Sequence, residues 1–173
     1  LRDGSISTVA TDHAPFDFAT QKHMGHPDPA KCLKADFQPS GKPGNFSLIP
    51  NGIPSIEERI KLLYTEGVLL GKISLETFVA VASTNAAKVF GLYPKKGEIA
   101  VGSDADIVVF DPNSTSTISA KTHHMATDYS AFEGREVSGQ IRDVTVRGRF
   151  VVRSGALVVG EGGGRYLARP CTH

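Results

Sequence analysis

The chain has 173 residues, 40% of them hydrophobic and 21% charged, with 19 basic and 18 acidic side chains and a formal net charge of +1. That balance is ordinary for a globular protein, and with no run of five or six like charges nothing points to nucleic acid or an anionic membrane as a partner. No apolar stretch approaches the ~18 residues of a spanning helix, no basic-then-apolar leader is visible, and Cys32 and Cys171 lack the spacing of a metal site or disulfide framework. The plain reading is a cytoplasmic protein of one medium domain or two small ones.

Ile6-Ser7-Thr8-Val9-Ala10 is a short β-type run. Pro15 disfavours a helical Ala14, so a strand is expected to end, and a loop to begin, near Asp12. Leu1 in place of Met, and the abrupt opening into a β-like run, fit a chain cut inside a domain. Residues 17–54 read as irregular, carrying Pro27, Pro29, Pro39, Pro43, Pro50 and Pro54. A loop this long in a compact domain is uncommon and usually functional or mobile. Ser55-Ile56-Glu57-Glu58 fits a capping box, Ser55 accepting from the backbone three residues on and Glu58 reaching back. Ile56, Ile60, Leu63 and Tyr64 then share a helical face, with Gly67 and Gly71 as terminators. Ser74 opens a second helix with Leu75, Phe78, Val79 and Ala82 on its apolar side. A third, about Asn85–Phe90, ends at Gly91, with Pro94 beyond.

The period changes from about 3.6 to about 2 near Lys95-Lys96-Gly97. Short β-runs are expected at 98–101, 107–111, 116–120, 137–146, 149–152 and 156–159. They are punctuated by Gly102-Ser103-Asp104, Asp111-Pro112-Asn113, Arg147-Gly148 and Ser154-Gly155. A boundary therefore falls near residue 94. The Gly-rich tail from Gly160 matches no dinucleotide or phosphate loop and is expected to fray or wrap a neighbour.

Asp12 is the leading chemical candidate. A carboxylate at a strand end can bind a metal, move a proton or do both, as catalytic groups at strand ends of barrel enzymes do; it can equally be a turn residue. His13 can enter a metal shell, orient a substrate group or simply hydrogen-bond in the loop. His23 and His26 have ligand spacing for a helix but lie in a loop. His123-His124 are adjacent, so on a strand they would face opposite ways, which favours packing or an interface over a shared metal. Asn51-Gly52, between Pro50 and Pro54, is a turn signature whose glycine also permits close backbone approach to a ligand.

Taken together, the motifs resemble the C-terminal half of dihydropyrimidinases and D-hydantoinases. The resemblance runs through Thr11-Asp12-His13-Ala14-Pro15-Phe16-Asp17-Phe18, Gln21-Lys22, Ile49-Pro50-Asn51-Gly52-Ile53-Pro54, Ile56-Glu57 and Arg59. It continues through Ser83–Gly97, Ile99–Asp106, Thr122-His123-His124-Met125, Asp128-Tyr129 and Ala131–Gly134. It covers nearly the whole chain, and the order and number of motifs make it specific.

The resemblance implies an α/β fold: the C-terminal portion of an amidohydrolase (β/α)8 barrel over residues 1–94, C-terminal strands of a β-sandwich over 95–160, and a tail over 161–173. A whole barrel takes roughly 250 residues, so this portion is expected to be inactive alone. The implied reaction is ring opening of a small cyclic diamide, a hydantoin or dihydropyrimidine. Two Zn2+ ions share the hydroxide that attacks the ring carbonyl. The carboxylate matching Asp12 binds the more buried zinc and carries the proton to the leaving nitrogen. Asn51 matches the residue whose backbone groups hold the substrate ring. The paired histidines, bridging carboxylated lysine and two further histidines of that family lie upstream of the matched region. Residues 23–46 look like an insertion. The parent is expected to be a homotetramer. A dihydroorotase or allantoinase, and a non-catalytic scaffold relative, are the alternatives; Ile49–Gly52 and Thr122–Gly134 favour hydantoinase.

Overall fold

A computed structural model describes residues 1–25, 46–160 and 162–169. His26, Cys32, Cys171 and most of the 23–46 segment lie outside the described residues. The chain forms two compact units, one from 1–10, 60–116 and 137–173, the other from 11–59 and 117–136.

The helical part of the first unit opens with α1 (Arg59–Leu63), whose first residue is counted with the second unit, and widens into a π-helical turn at Tyr64–Leu69. Gly67 sits buried inside that turn, where a Cβ would lie 3.0 Å from Ile73. It admits Ile73 to the core rather than ending the helix. Termination falls to Gly71, at φ +64°, whose N–H donates to the Val68 carbonyl at 2.9 Å.

α2 (Leu75–Val79) starts as expected: Ser74 is extended and its hydroxyl accepts from the Thr77 N–H at 3.1 Å. The second and third expected helices are joined, because a π-helical turn at Ala80–Thr84 carries α2 directly into α3 (Asn85–Val89). Gly91, at φ +67°, follows the end of α3.

Tyr64, Ile73 and Phe78 form the buried cluster of this unit, with Phe110 packed against them. The Tyr64 and Phe110 rings meet edge-on at 4.9 Å between centroids, a favourable aromatic arrangement. Phe110 enters because residue 139 is glycine: a Cβ there would sit 2.0 Å from the ring.

The sheet orders four strands β1 (Val108–Thr117), β2 (Glu136–Val146), β3 (Arg149–Arg153) and β4 (Ala156–Leu157) as β1-β2-β3-β4. Beside it, Ile107 and Thr145 exchange N–H to C=O bonds at 2.8 and 3.2 Å, the reciprocal pattern of an antiparallel pair. Two-residue turns at Arg147-Gly148 and Ser154-Gly155, all four residues at positive φ, close the next hairpins with Val146 opposite Arg149 and Arg153 opposite Ala156.

Three strand expectations change. The runs at 107–111 and 116–120 become one strand that passes through Pro112. On the outer strand of the sheet, an N–H missing on the open side costs no ladder bond. No strand forms at 98–101: Ile99 and Val101 are exposed in a loop closed by the Asp104 N–H on the Lys95 carbonyl at 2.9 Å. The Lys96 ammonium meets the carboxylates of Asp104, at 2.9 Å, and Asp106. No strand forms at 6–10 either. Val9 donates to the Val81 carbonyl at 2.9 Å and the Asn85 amide to the Ser7 carbonyl at 2.8 Å, so groups that a neighbouring strand would pair are met by the helical segment.

Among its described residues the second unit has short 3-10 turns at Lys22–Gly25 and Phe46–Leu48. Side chains bonded to the backbone hold it together, and they bring the candidate residues into one place.

Candidate active site

Asp12 occupies the left-handed region at φ +47°, a conformation that costs L-residues about 1–2 kcal/mol and that Asp tolerates better than most. The residue is exposed, and among the described residues its carboxylate has no partner. The flanking chain, by contrast, is firmly held. Ala14 N–H donates to the Ile53 carbonyl at 3.1 Å, Ser55 N–H donates to His13 Nδ1 at 3.1 Å, and the Ser55 hydroxyl donates to the Thr11 carbonyl at 3.4 Å. A Cβ on Gly52, at φ +91°, would lie 2.5 Å from the Ala14 Cβ. The loop carrying Asp12 is therefore laced to the loop carrying Asn51, with a free carboxylate beside the lacing.

These contacts revise the capping-box expectation. Ser55 and Glu58 are buried and turned to tertiary partners: Glu58 accepts from the Ser130 hydroxyl at 2.8 Å, and the α-helix starts only at Arg59. They also define His13. Its Nδ1 accepts from a backbone N–H, so in the neutral ring Nε2 carries the proton. Nδ1 is taken, and among the described residues Nε2–H has no acceptor.

A third segment clasps both loops. Asp128 accepts from the backbone N–H groups of Phe18 at 2.6 Å and Ala19 at 2.9 Å. The Tyr129 ring meets Phe18 in a tilted contact at 5.4 Å, and Glu57 receives the His124 N–H at 2.6 Å with His124 Nδ1 3.0 Å from its second oxygen. The two adjacent histidines thus do separate structural work, His123 Nε2 reaching the Thr127 carbonyl at 3.0 Å. His23 packs edge-on against Phe18.

Burial pushes the Asp128 pKa up, but the N–H groups of Ala19 and Phe18 pull it down by more, to below its ordinary 3.8. A carboxylate whose folded pKa lies below its unfolded one stabilises at full strength above the unfolded value, and that contribution disappears as pH falls through the folded value. The clasp is therefore expected to hold above about pH 5 and to weaken below pH 3.8. Asp128→Asn should remove that part of the acid sensitivity of the unfolding midpoint. An identical pH profile for the variant would show that Asp128 contributes nothing.

Among the described residues, no three His, Cys, Asp or Glu side chains converge as a metal site. The carboxylate of Asp12, without a partner among the described residues, has the chemistry of one donor to a hard or borderline metal. Spacing does not mark Asp128, because the backbone groups it holds lie 110 and 109 positions away and no local pattern exists for them.

With this geometry in place, the chain can be assigned a class. It belongs to the amidohydrolase family, whose profile matches residues 1–151. It is 46% identical to the D-hydantoinase of Geobacillus stearothermophilus over 98% of this chain and 32% of that protein. It is 43% identical to the dihydropyrimidinase of Rattus norvegicus over 98% of this chain and 29% of that protein. Among solved structures, the D-hydantoinase of Bacillus sp. AR9 superposes with a TM-score of 0.85 at 48% identity, covering 97% of this chain and 33% of that one. The D-hydantoinase (dihydropyrimidinase) of Thermus sp. gives 0.81 at 48% identity, covering 96% and 32%. The chain thus spans about a third of the length of the relatives it matches. No helix among the described residues is long and apolar enough to cross a membrane.

Proposed function

We propose that the chain is the C-terminal portion of a metal-dependent cyclic amidohydrolase that opens hydantoins or dihydropyrimidines. The observation that carries this reading is the uncommitted Asp12 carboxylate on a loop laced through Ala14–Ile53 and His13–Ser55 to the Asn51 turn. Residues 1–94 are read as the closing part of a (β/α)8 barrel, 95–160 as sandwich strands and 161–173 as a tail, within a cytoplasmic homotetramer.

Zinc, when bound, supplies a lowered water pKa and a polarised carbonyl. Asp12 would contribute one ligand to it. The same carboxylate takes the proton of the attacking water as the new C–O bond forms. It returns the proton to the ring nitrogen as the C–N bond breaks, so the ring opens to a carboxylate and a urea-type nitrogen. The backbone N–H and C=O of Asn51 offer one donor and one acceptor, matching the alternating C=O and N–H of a cyclic imide. The His13 Nε2–H supplies a further donor beside the reacting group.

The test is ring opening by the complete zinc-loaded protein. Hydantoin and dihydrouracil are expected to be turned over, and dihydroorotate and allantoin are not. Turnover of the latter pair alone assigns the site to dihydroorotase or allantoinase chemistry. Inertness toward all four at full zinc loading refutes the reading in favour of a non-catalytic scaffold.

A further inference from the structure

We infer that Lys22 is a positioning residue that aims the Asn51 backbone at the substrate ring, an assignment that rests on the function proposed above. The Lys22 ammonium donates to the Pro50 carbonyl and, at 2.5 Å, to the Gly52 carbonyl. It therefore grips the chain on both sides of Asn51. In a trans peptide the C=O and N–H point in opposite directions. Pinning the Pro50 carbonyl to the ammonium turns the Asn51 N–H away from Lys22; pinning the Gly52 carbonyl does the same to the Ile53 N–H. Among the described residues the Asn51 N–H has no acceptor, so it is an oriented and unspent donor.

The clamp is itself anchored to the loop that carries Asp12. Lys22 begins a 3-10 turn, its N–H donates to the Asp17 carbonyl at 2.9 Å, and the Asp17 N–H is held by the Gln21 side chain at 2.7 Å. The Phe16 ring lies 5.4 Å from Nζ, within reach of a cation–π attraction that holds the ammonium in place. With two of its hydrogens on carbonyl oxygens, the ammonium acts as a fixed donor. Lys22 thus orients the ring-holding backbone on either side of Asn51 through the Pro50 and Gly52 carbonyls.

The experiment compares Lys22→Met, Lys22→Gln and Lys22→Arg with the wild type in the complete protein, reading kcat and KM for hydantoin, zinc content, and hydrogen exchange of the Ala14 amide. A donor that binds ring and transition state alike moves KM and leaves kcat. Lys22→Met is expected to raise KM by about tenfold, the order of one oriented hydrogen bond. kcat should stay within about threefold, zinc content should be unchanged, and Ala14 exchange should be faster. Lys22→Gln keeps one donor and is expected to fall between; Lys22→Arg is expected to recover most of the wild-type KM. An unchanged KM in Lys22→Met, or a fall in kcat at constant KM, overturns the inference. If Lys22→Met does not fold, equal KM values for Lys22→Gln, Lys22→Arg and wild type overturn it instead. A wild type that opens no cyclic imide overturns the functional reading, and Ala14 exchange then judges the clamp: unchanged exchange in Lys22→Met removes it.

Discussion

On the function proposed above, replacing Asp12 with Ala in the complete protein is expected to lower turnover of a cyclic imide by at least about 10^3-fold, the range of a positioned proton-transfer group, and to lower zinc content. The expectation follows from two features. The Asp12 carboxylate has no partner among the described residues, so no fold-stabilising contact is lost with it. Its backbone sits at φ +47°, a conformation that Ala adopts less readily, so a small loss of stability, about 1 kcal/mol, should accompany the chemical loss. Asp12→Asn separates the two effects. Asparagine tolerates the left-handed conformation but can neither carry the proton nor give a charged ligand, so stability should return without turnover. Measuring zinc per site, kcat and the unfolding midpoint on both variants checks each part. Retention of wild-type kcat in Asp12→Asn would remove Asp12 from the chemistry.

The second large effect is expected at Gly52. A methyl at this position would lie 2.5 Å from the Ala14 Cβ, on a backbone at φ +91°. The clash lies between the two loops whose spacing the site depends on, so relieving it means moving Asn51 relative to Asp12. A displacement of an ångström is worth about 10^2-fold in rate, and kcat/KM of Gly52→Ala should fall by about that factor. Two controls isolate the cause. Gly71→Ala has the same kind of backbone strain, at φ +64°, with nothing within 4 Å of the new methyl, and should cost stability without touching kcat/KM. Ala14→Gly added to Gly52→Ala removes the clashing atom and leaves the next neighbours at 3.8 and 3.9 Å, so activity should recover by tenfold or more. Failure of the double variant to recover would show that backbone strain, not the contact, disables the site.

Local patterns read well wherever a residue's role is discharged within a few positions of it. Ser74 caps its helix because the acceptor and the Thr77 N–H are three residues apart. Gly71 and Gly91 end helices, and Arg147-Gly148 and Ser154-Gly155 turn hairpins, because each needs only its own backbone conformation. Reading fails where the same residue has a distant competitor. Ser55 and Glu58 have the spacing of a capping box, yet their side chains bond to Thr11 and Ser130. Gly67 has the position of a terminator and instead admits Ile73. The runs at 6–10 and 98–101 have strand composition without strand pairing, and a strand exists only through its neighbour's hydrogen bonds.

The site divides in the same way. The residue order alone singled out Asp12 and Asn51, through motifs whose types and spacing resemble one family, and the amidohydrolase profile over residues 1–151 bears that family out. What the order could not show is how the two residues come together, because the contacts that do it are long-range. Gly52 meets Ala14, His13 meets Ser55, Lys22 grips Pro50 and Gly52, and Asp128 holds Phe18 and Ala19 from 110 and 109 positions away. Composition and periodicity decide which groups are present and which local conformations they favour. Only the closed fold decides which carbonyl an ammonium finds, since that depends on where distant loops meet.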